Sequence, residues 1–317
     1  MSWAARLDNW WRPSWPAERL ATLRIVVGFY GVLWLVARLP HLLSYARDDA
    51  ARWAPVGVLS ALEGPLAPDL YRLLVGLTLG LAAAFAAGWR FRVTGPLFAG
   101  VLLVVLTHTN SWGKILHTEN VWWVHVAVLA AGRSADALSL DSRRARPNPE
   151  GATAPAPRYG WPVMLMMAAG TLPYLLAGIA KLRNSGLAFV SGETLRNYVA
   201  FGNVRKLELG SPASAMAPEL MDAPGFFMGL AVLSLVLELT APLVLVWPRA
   251  RRPWVLGVGG FHWGVLALMA IGFPYQLSFV AFACYLPAER LWAWRGLRRL
   301  GRRLGATASQ AHASLGP

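Results

Sequence analysis

Apolar residues in this chain gather into eight runs, at about 22–38, 70–89, 93–108, 113–131, 161–180, 225–247, 254–271 and 274–287. The run at 161–180 is the cleanest. Its nineteen residues Trp161–Ile179 carry no formal charge. At a helical rise of about 1.5 Å per residue they span about 28 Å, the thickness of a bilayer's hydrocarbon core. Polar breakers separate the runs. Arg90 and Arg92 part the second from the third, and Pro248–Pro253 with three arginines parts the sixth from the seventh. No alternation of the outer-membrane-barrel kind is present. The pattern predicts an all-α polytopic membrane bundle of about eight transmembrane helices. The third and eighth runs are short for a span.

Composition agrees. The 317 residues are 56% hydrophobic and 15% charged, where a soluble chain carries about a quarter charged. The net charge of +14 fits a membrane surface rather than nucleic acid, because of where the charge lies. With eight spans and the N-terminus inside, the inner segments hold 20 of the 30 basic residues. The outer segments hold 10 basic and 9 acidic residues. That bias places both termini on the cytoplasmic side of an inner membrane. Residues 1–290 form the expected membrane domain. Residues 291–317 form a tail: a basic amphipathic helix at Leu291–Leu304 on the inner leaflet, then a disordered Ala/Ser-rich end. The loop at 142–158 is Pro/Ala-rich and polar. Residues 188–206 have helical periodicity suited to the outer interface. The first run lacks a cleavage site and reads as an uncleaved span. The single cysteine, Cys284, excludes an intrachain disulfide and a Cys-based zinc site.

Candidate chemistry begins with Lys181, at the outer end of the uncharged run. Only Lys114, Lys181 and Lys206 are lysines, against 27 arginines. A desolvated lysine can lose its proton and act as a base; an arginine cannot. The bland reading is a snorkelling anchor with its ammonium among headgroups. Base chemistry expects apolar walls, from Leu175, Leu176, Ile179 and Phe189, rather than a carboxylate beside the amine. Glu238 lies midway along the sixth run and His262 within the seventh. Each is nine residues from the inner end of its run, so about 13–14 Å deep. Equal depth predicts an intramembrane polar pair, Glu238 with His262. His117 and His125 fall in the fourth run. No metal-ligand spacing, phosphate loop or dinucleotide turn appears, and no metal is expected.

Four pieces of the chain carry a family resemblance. They are LRIVVGFYGVLWLVARLPHL with an Asp-containing outer loop, the SLD boundary at Ser139–Asp141, YLLAGIAKL followed by SGETL, and FHWGVLALMAIGFPYQLSFVAFACYL. In this order they resemble the HTTM membrane domain of vitamin K-dependent γ-glutamyl carboxylase and its bacterial relatives. The resemblance implies that Lys181, matching the AGxxKL lysine, acts as base on reduced vitamin K or another quinone. In the carboxylase, reaction with oxygen then yields a stronger base that takes a γ-proton from glutamate. Carbon dioxide adds, and the quinone leaves as its epoxide. His117 is the nearest match to the assisting histidine. Asn120 and Phe189 are the expected ligand-binding neighbours; Phe189 stands where the family usually has Trp. The carboxylase continues into a large luminal domain where this chain has about thirty residues, so a separate substrate-binding protein is an expected partner, beside membrane lipid. The alternative is a non-catalytic scaffold or lipid-binding protein on the same fold. An enzyme needs Lys181 beside a ligand cavity with outer-face polar groups. A scaffold needs only a packed bundle.

Overall fold

The computed structural model describes residues 2–144 and 154–293. The loop at 145–153 and nearly all of the expected amphipathic tail fall outside them. Every regular element among the described residues is helical. A short helix α1 (Trp3–Trp11) precedes α2 (Ala17–Ser44), α3 (Pro68–Ala87), α4 (Phe91–Asn110), α5 (Asn120–Ala131) and the single turn α6 (Leu140–Arg144). Then come α7 (Pro157–Ser185), α8 (Glu193–Glu208), the turn α9 (Ala217–Leu220), α10 (Pro224–Leu239), α11 (Leu243–Val246), α12 (Arg251–Met269) and α13 (Pro274–Leu277). Four of these helices open on proline, whose missing N–H would lack a helical partner there anyway.

Among the described residues, four helical stretches are long and apolar enough to cross a membrane: Ala17–Arg47, Pro68–Ala87, Phe91–Asn110 and Pro157–Ser191. Helices α5 and α10 are apolar but shorter. Large apolar side chains such as Phe29, Leu73, Leu97, Leu176 and Val236 point outward. Such a surface is suited to lipid and costly in water. The protein is a multi-pass membrane protein.

Three of the expected spans are interrupted. The fourth run is helical only from Asn120; residues 111–119 form a loop. Gly113 has a left-handed backbone there, and Asn110 Oδ1 accepts a 2.7 Å bond from the Leu116 N–H. His117 therefore lies in a loop, not in a span. The sixth run breaks after Leu239 at Thr240–Pro242, where proline removes a helical N–H, and resumes as the single turn α11. The eighth run is one turn of α-helix and a 3-10 segment, Val280–Tyr285, joined through Phe279 at a positive φ. The Phe279 ring lies where a Cβ on Gly259 of α12 would stand, 2.2 Å from the nearest ring atom. The compact hairpin at the end of the chain depends on that glycine.

One end of the bundle is tied together by Arg24 of α2, whose side chain is fully buried. Its guanidinium donates to four carbonyls: Phe85 at 2.8 Å, Ala86 at 2.6 Å, Leu138 at 2.6 Å and Ser134 at 3.0 Å. Two of these belong to the C-terminal turn of α3, where carbonyls lack helical partners and the helix dipole favours a cation. Gly88 closes α3 with a left-handed turn; its N–H reaches Phe85 O and the Trp89 N–H reaches Ala84 O. The Asp141 carboxylate accepts from the Arg90 and Phe91 N–H groups at 2.8 and 2.7 Å, capping the start of α4. The first and last described segments meet at this same end. Arg19 forms a two-pronged ion pair with Glu289, at 2.8 and 3.0 Å.

Replacing Arg24 by Met should take the guanidinium from four carbonyls, of which Phe85 O keeps the Gly88 N–H; each buried carbonyl left unpaired costs about 1–3 kcal/mol. Thermal unfolding in detergent should show a large loss for Arg24→Met and almost none for Arg12→Met, an exposed control. Gly88→Ala should also destabilise strongly. Its Cβ would stand 2.5 Å from Ser139 Cβ and 2.6 Å from Arg24 Nη1, on a backbone with φ +63°. Equal melting of wild type and Gly88→Ala would contradict this packing.

Candidate functional site

At the opposite end, α7 and α10 meet at a glycine. A Cβ on Gly178 would lie 2.9 Å from Leu239 Cδ2 and 3.0 Å from Glu238 Cβ. The small residue lets the two helices close to near contact. Lys181 is one turn further along the same face of α7, since residues three apart are neighbours on a helix. Its Nζ donates to Glu238 Oε1 at 2.7 Å and to Ser234 Oγ at 3.2 Å. Ser234 and Glu238 are four apart on α10 and so present one surface. The Lys181 side chain is 25% exposed and that of Glu238 only 4%. Two rings flank the ammonium: Phe189 at 5.2 Å and Phe261 of α12 at 5.7 Å from Nζ to ring centre. Phe189 is buried in a 3-10 turn, Gly186–Ser191, that follows α7.

The expected pair of Glu238 with His262 does not form. Glu238 bonds Lys181, and His262 Nε2 bonds the hydroxyl of Tyr174 at 2.7 Å. The depth argument assumed an unbroken helix from Glu238 to Trp247, and the break at Thr240–Pro242 removes that ruler. A stronger partner for Glu238 was also at hand on α7. Each member of the expected pair keeps an atom without a partner: Glu238 Oε2 and His262 Nδ1 are buried and unbonded.

The expected walls of Lys181 need correcting as well. Leu176 and Ile179 point outward and are about half exposed. Leu175 lines a separate groove. Only Phe189 of the four stands against the amine, and a carboxylate is its first neighbour. His117 and Asn120 are both exposed, at the loop that precedes α5. No hydrogen bond among the described residues joins either to Lys181. His117 approaches the cluster through Phe273, its ring 5.9 Å away, and Phe273 lies 5.1 Å from His262. His125 is a core histidine, bonded to Tyr275 Oη at 2.7 Å and Met166 O at 3.1 Å.

Lys181 is in the lining of neither of two hollows formed by the described residues. An apolar groove of about 430 Å³ follows α7 along Leu165, Ala168, Thr171 and Leu175 to Pro242 and Leu245, where α10 breaks away. A polar crevice of about 20 Å³ lies between α2 and the 111–119 loop, lined by Trp34, Arg38, His41, Tyr45, Asn110 and Glu119. That volume admits a water molecule. No group of three or more metal-ligand side chains occurs among the described residues.

Sequence reading missed Ser234, Tyr174 and Phe261. The signals were present. Tyr174 and Lys181 are two turns apart on α7, and Ser234 precedes Glu238 by one turn on an otherwise apolar helix. What was missing was the knowledge that α7 and α10 touch.

Chemically, the arrangement is an amine and a carboxylate in direct contact, away from bulk water, between two flat apolar rings. It can hold or move a proton. No curated protein and no solved structure matches the chain. Among protein families, the HTTM domain matches residues 11–289. The chain therefore belongs to the HTTM domain family, the membrane domain of vitamin K-dependent carboxylase-like proteins.

Proposed function

We propose that this protein is a quinone-dependent enzyme of the carboxylase or epoxidase kind, with its site at the outer end of the bundle and Lys181 as the base. The observation that carries this reading is the placement of Lys181. Its amine is mostly withdrawn from solvent, hydrogen-bonded to Ser234 and Glu238, and faced by Phe189 and Phe261. Aromatic faces beside a proton-accepting group are the fittings a reduced quinone ring requires. When bound with oxygen, the reduced quinone would supply the strongly basic species that side chains cannot. The chain's own part is to orient the ring on Phe189 and Phe261, exclude water, and take the hydroxyl proton at Lys181 Nζ. His117, Asn120 and Phe273 lie toward the outer loop, on the side from which a substrate or a separate substrate-binding protein would approach.

Eight crossings of the inner membrane, with both termini inside, form part of this proposal. The 20-to-10 split of basic residues supports it. So does the contact of Arg19 with Glu289, which brings the start and the end of the matched region to one end of the bundle. A second reading, a non-catalytic scaffold or lipid-binding protein, is favoured by the ion pair itself. A lysine already met by a carboxylate locks α7 to α10 without any ligand.

Reporter fusions in the 141–158 loop and after Pro287 should report cytoplasm; an external signal at either position overturns the topology. For function, the purified protein in lipid should form epoxide from reduced vitamin K or menaquinol with oxygen. Lys181→Ala and Lys181→Arg should both lose at least 100-fold of that rate, since general-base catalysis contributes roughly 10²–10⁴-fold and arginine keeps only the charge. Wild-type rates in Lys181→Arg would remove the base role. Absence of epoxide from wild type with every quinone tried would select the scaffold reading.

A further inference from the structure

We infer that Glu238 is the proton acceptor for Lys181, so that the base is a lysine–glutamate dyad spanning α7 and α10. This rests on the proposed quinol site and extends it to the residue that receives the proton.

Three features of the contact separate a proton-transfer dyad from a structural ion pair. The first is the carboxylate's incomplete bonding. A buried ion pair is stable only when its remaining lone pairs and protons are satisfied. Glu238 has one oxygen on Lys181, and its other oxygen, Oε2, is buried without a partner. An ionised carboxylate left so is costly; a carboxyl group that carries a proton is less so, because its charge is gone. The arrangement suits a group that alternates between the two forms.

The second is the bonding around the amine. Ser234 donates its own hydroxyl proton to Ala231 O at 2.9 Å, so toward Lys181 it acts as an acceptor. Ser234 Oγ and Glu238 Oε1 thus take two N–H groups. A lysine that acts as a base must do so in its neutral form, with two N–H groups and one lone pair; the two acceptors would then take both N–H groups and leave the lone pair for an incoming proton. The third feature is the surroundings. The groups on the packed elements are Tyr174 on α7, Ser234 on α10 and His262 on α12. Tyr174 and His262 are bonded to each other, so neither competes for the Lys181 proton.

The step balances simply. The step starts from a neutral Lys181 amine beside an ionised Glu238: a proton leaves the quinol oxygen for Lys181 Nζ, and a different proton passes from Nζ to Glu238 Oε1. The amine ends with the two N–H bonds it began with. Glu238 is neutral, the quinol oxygen has lost its proton, and no electron has moved.

The test is infrared difference spectroscopy of the full chain in lipid nanodiscs, with menadiol added under argon so that no oxidation follows. Quenching of tryptophan fluorescence reports menadiol binding independently. Binding should bring in a carboxylic acid C=O band that shifts in D₂O. The band should vanish in Glu238→Gln and in Lys181→Arg. It should also move on labelling with ¹³C-glutamate, which shows that the band belongs to a glutamate; if Glu238→Gln does not fold, loss of the band in Lys181→Arg, with menadiol still bound, ties that glutamate to Lys181. Menadiol binding without that band would overturn the role of Glu238 and leave the quinol site standing. No menadiol binding would remove both.

Discussion

The bundle depends on one constraint: in hydrocarbon, no water is at hand for an unpaired polar group. Helices satisfy their own interiors, so the difficulty collects at their ends and at the few charges within. Arg24 answers it at one end by meeting the frayed carbonyls of α3 together with two carbonyls from the 134–138 turn. A cation that would be costly alone becomes the common partner of three segments. Gly88 and Asp141 are fitted around it: one so that the guanidinium has room, the other so that α4 starts with its N–H groups met.

The opposite end is tied in the same manner but less completely. Lys206 of α8 donates to the Met269 and Ala270 carbonyls at 2.5 and 2.7 Å, and Asn203 donates to Leu268 O at 2.8 Å. These three carbonyls belong to the closing turn of α12. Burial draws the Lys206 ammonium below the ordinary lysine range, and nearby Lys114 adds to the effect. The Lys181 contact differs in leaving something over. Glu238 Oε2 and His262 Nδ1 stay unbonded within one small region. Buried polar atoms without a partner also occur at Trp34, Tyr71, His108, Trp112, Trp122 and Gln276, so what sets this region apart is the direct contact of an amine with a buried carboxylate.

The long spans were legible because their signal is additive. Nineteen uncharged residues cannot be read otherwise, and Pro157 and Gly186 bracket α7 as breakers should. The broken segments were not legible by the same measure. An apolar run counts residues and is blind to the break at Pro242 or the reversal at Phe279, where single backbone angles decide. Lys181 stood out by its rarity and place. Its partner did not, because Glu238 and Lys181 are 57 residues apart and only the closeness of α7 and α10 joins them. Gly178 was the sequence clue to that closeness. It lies three residues before the lysine, where any larger side chain would hold the helices apart.

The choice between the two kinds of basic residue follows the job at each place. Arg24 serves four carbonyls at once, which needs a fixed planar fork with several donors and a charge that never leaves. Lysine at that position would reach fewer of them. At 181 the demands reverse. One carboxylate oxygen and one hydroxyl take the two bonds that the amine makes. An ammonium can also surrender a proton, which a guanidinium does not do in a protein. A chain that uses arginine for 27 of its 30 basic residues has one of its three lysines where a carboxylate lies at 2.7 Å with an unpartnered oxygen behind it, which is where the proposed proton transfer requires a group able to give up its charge.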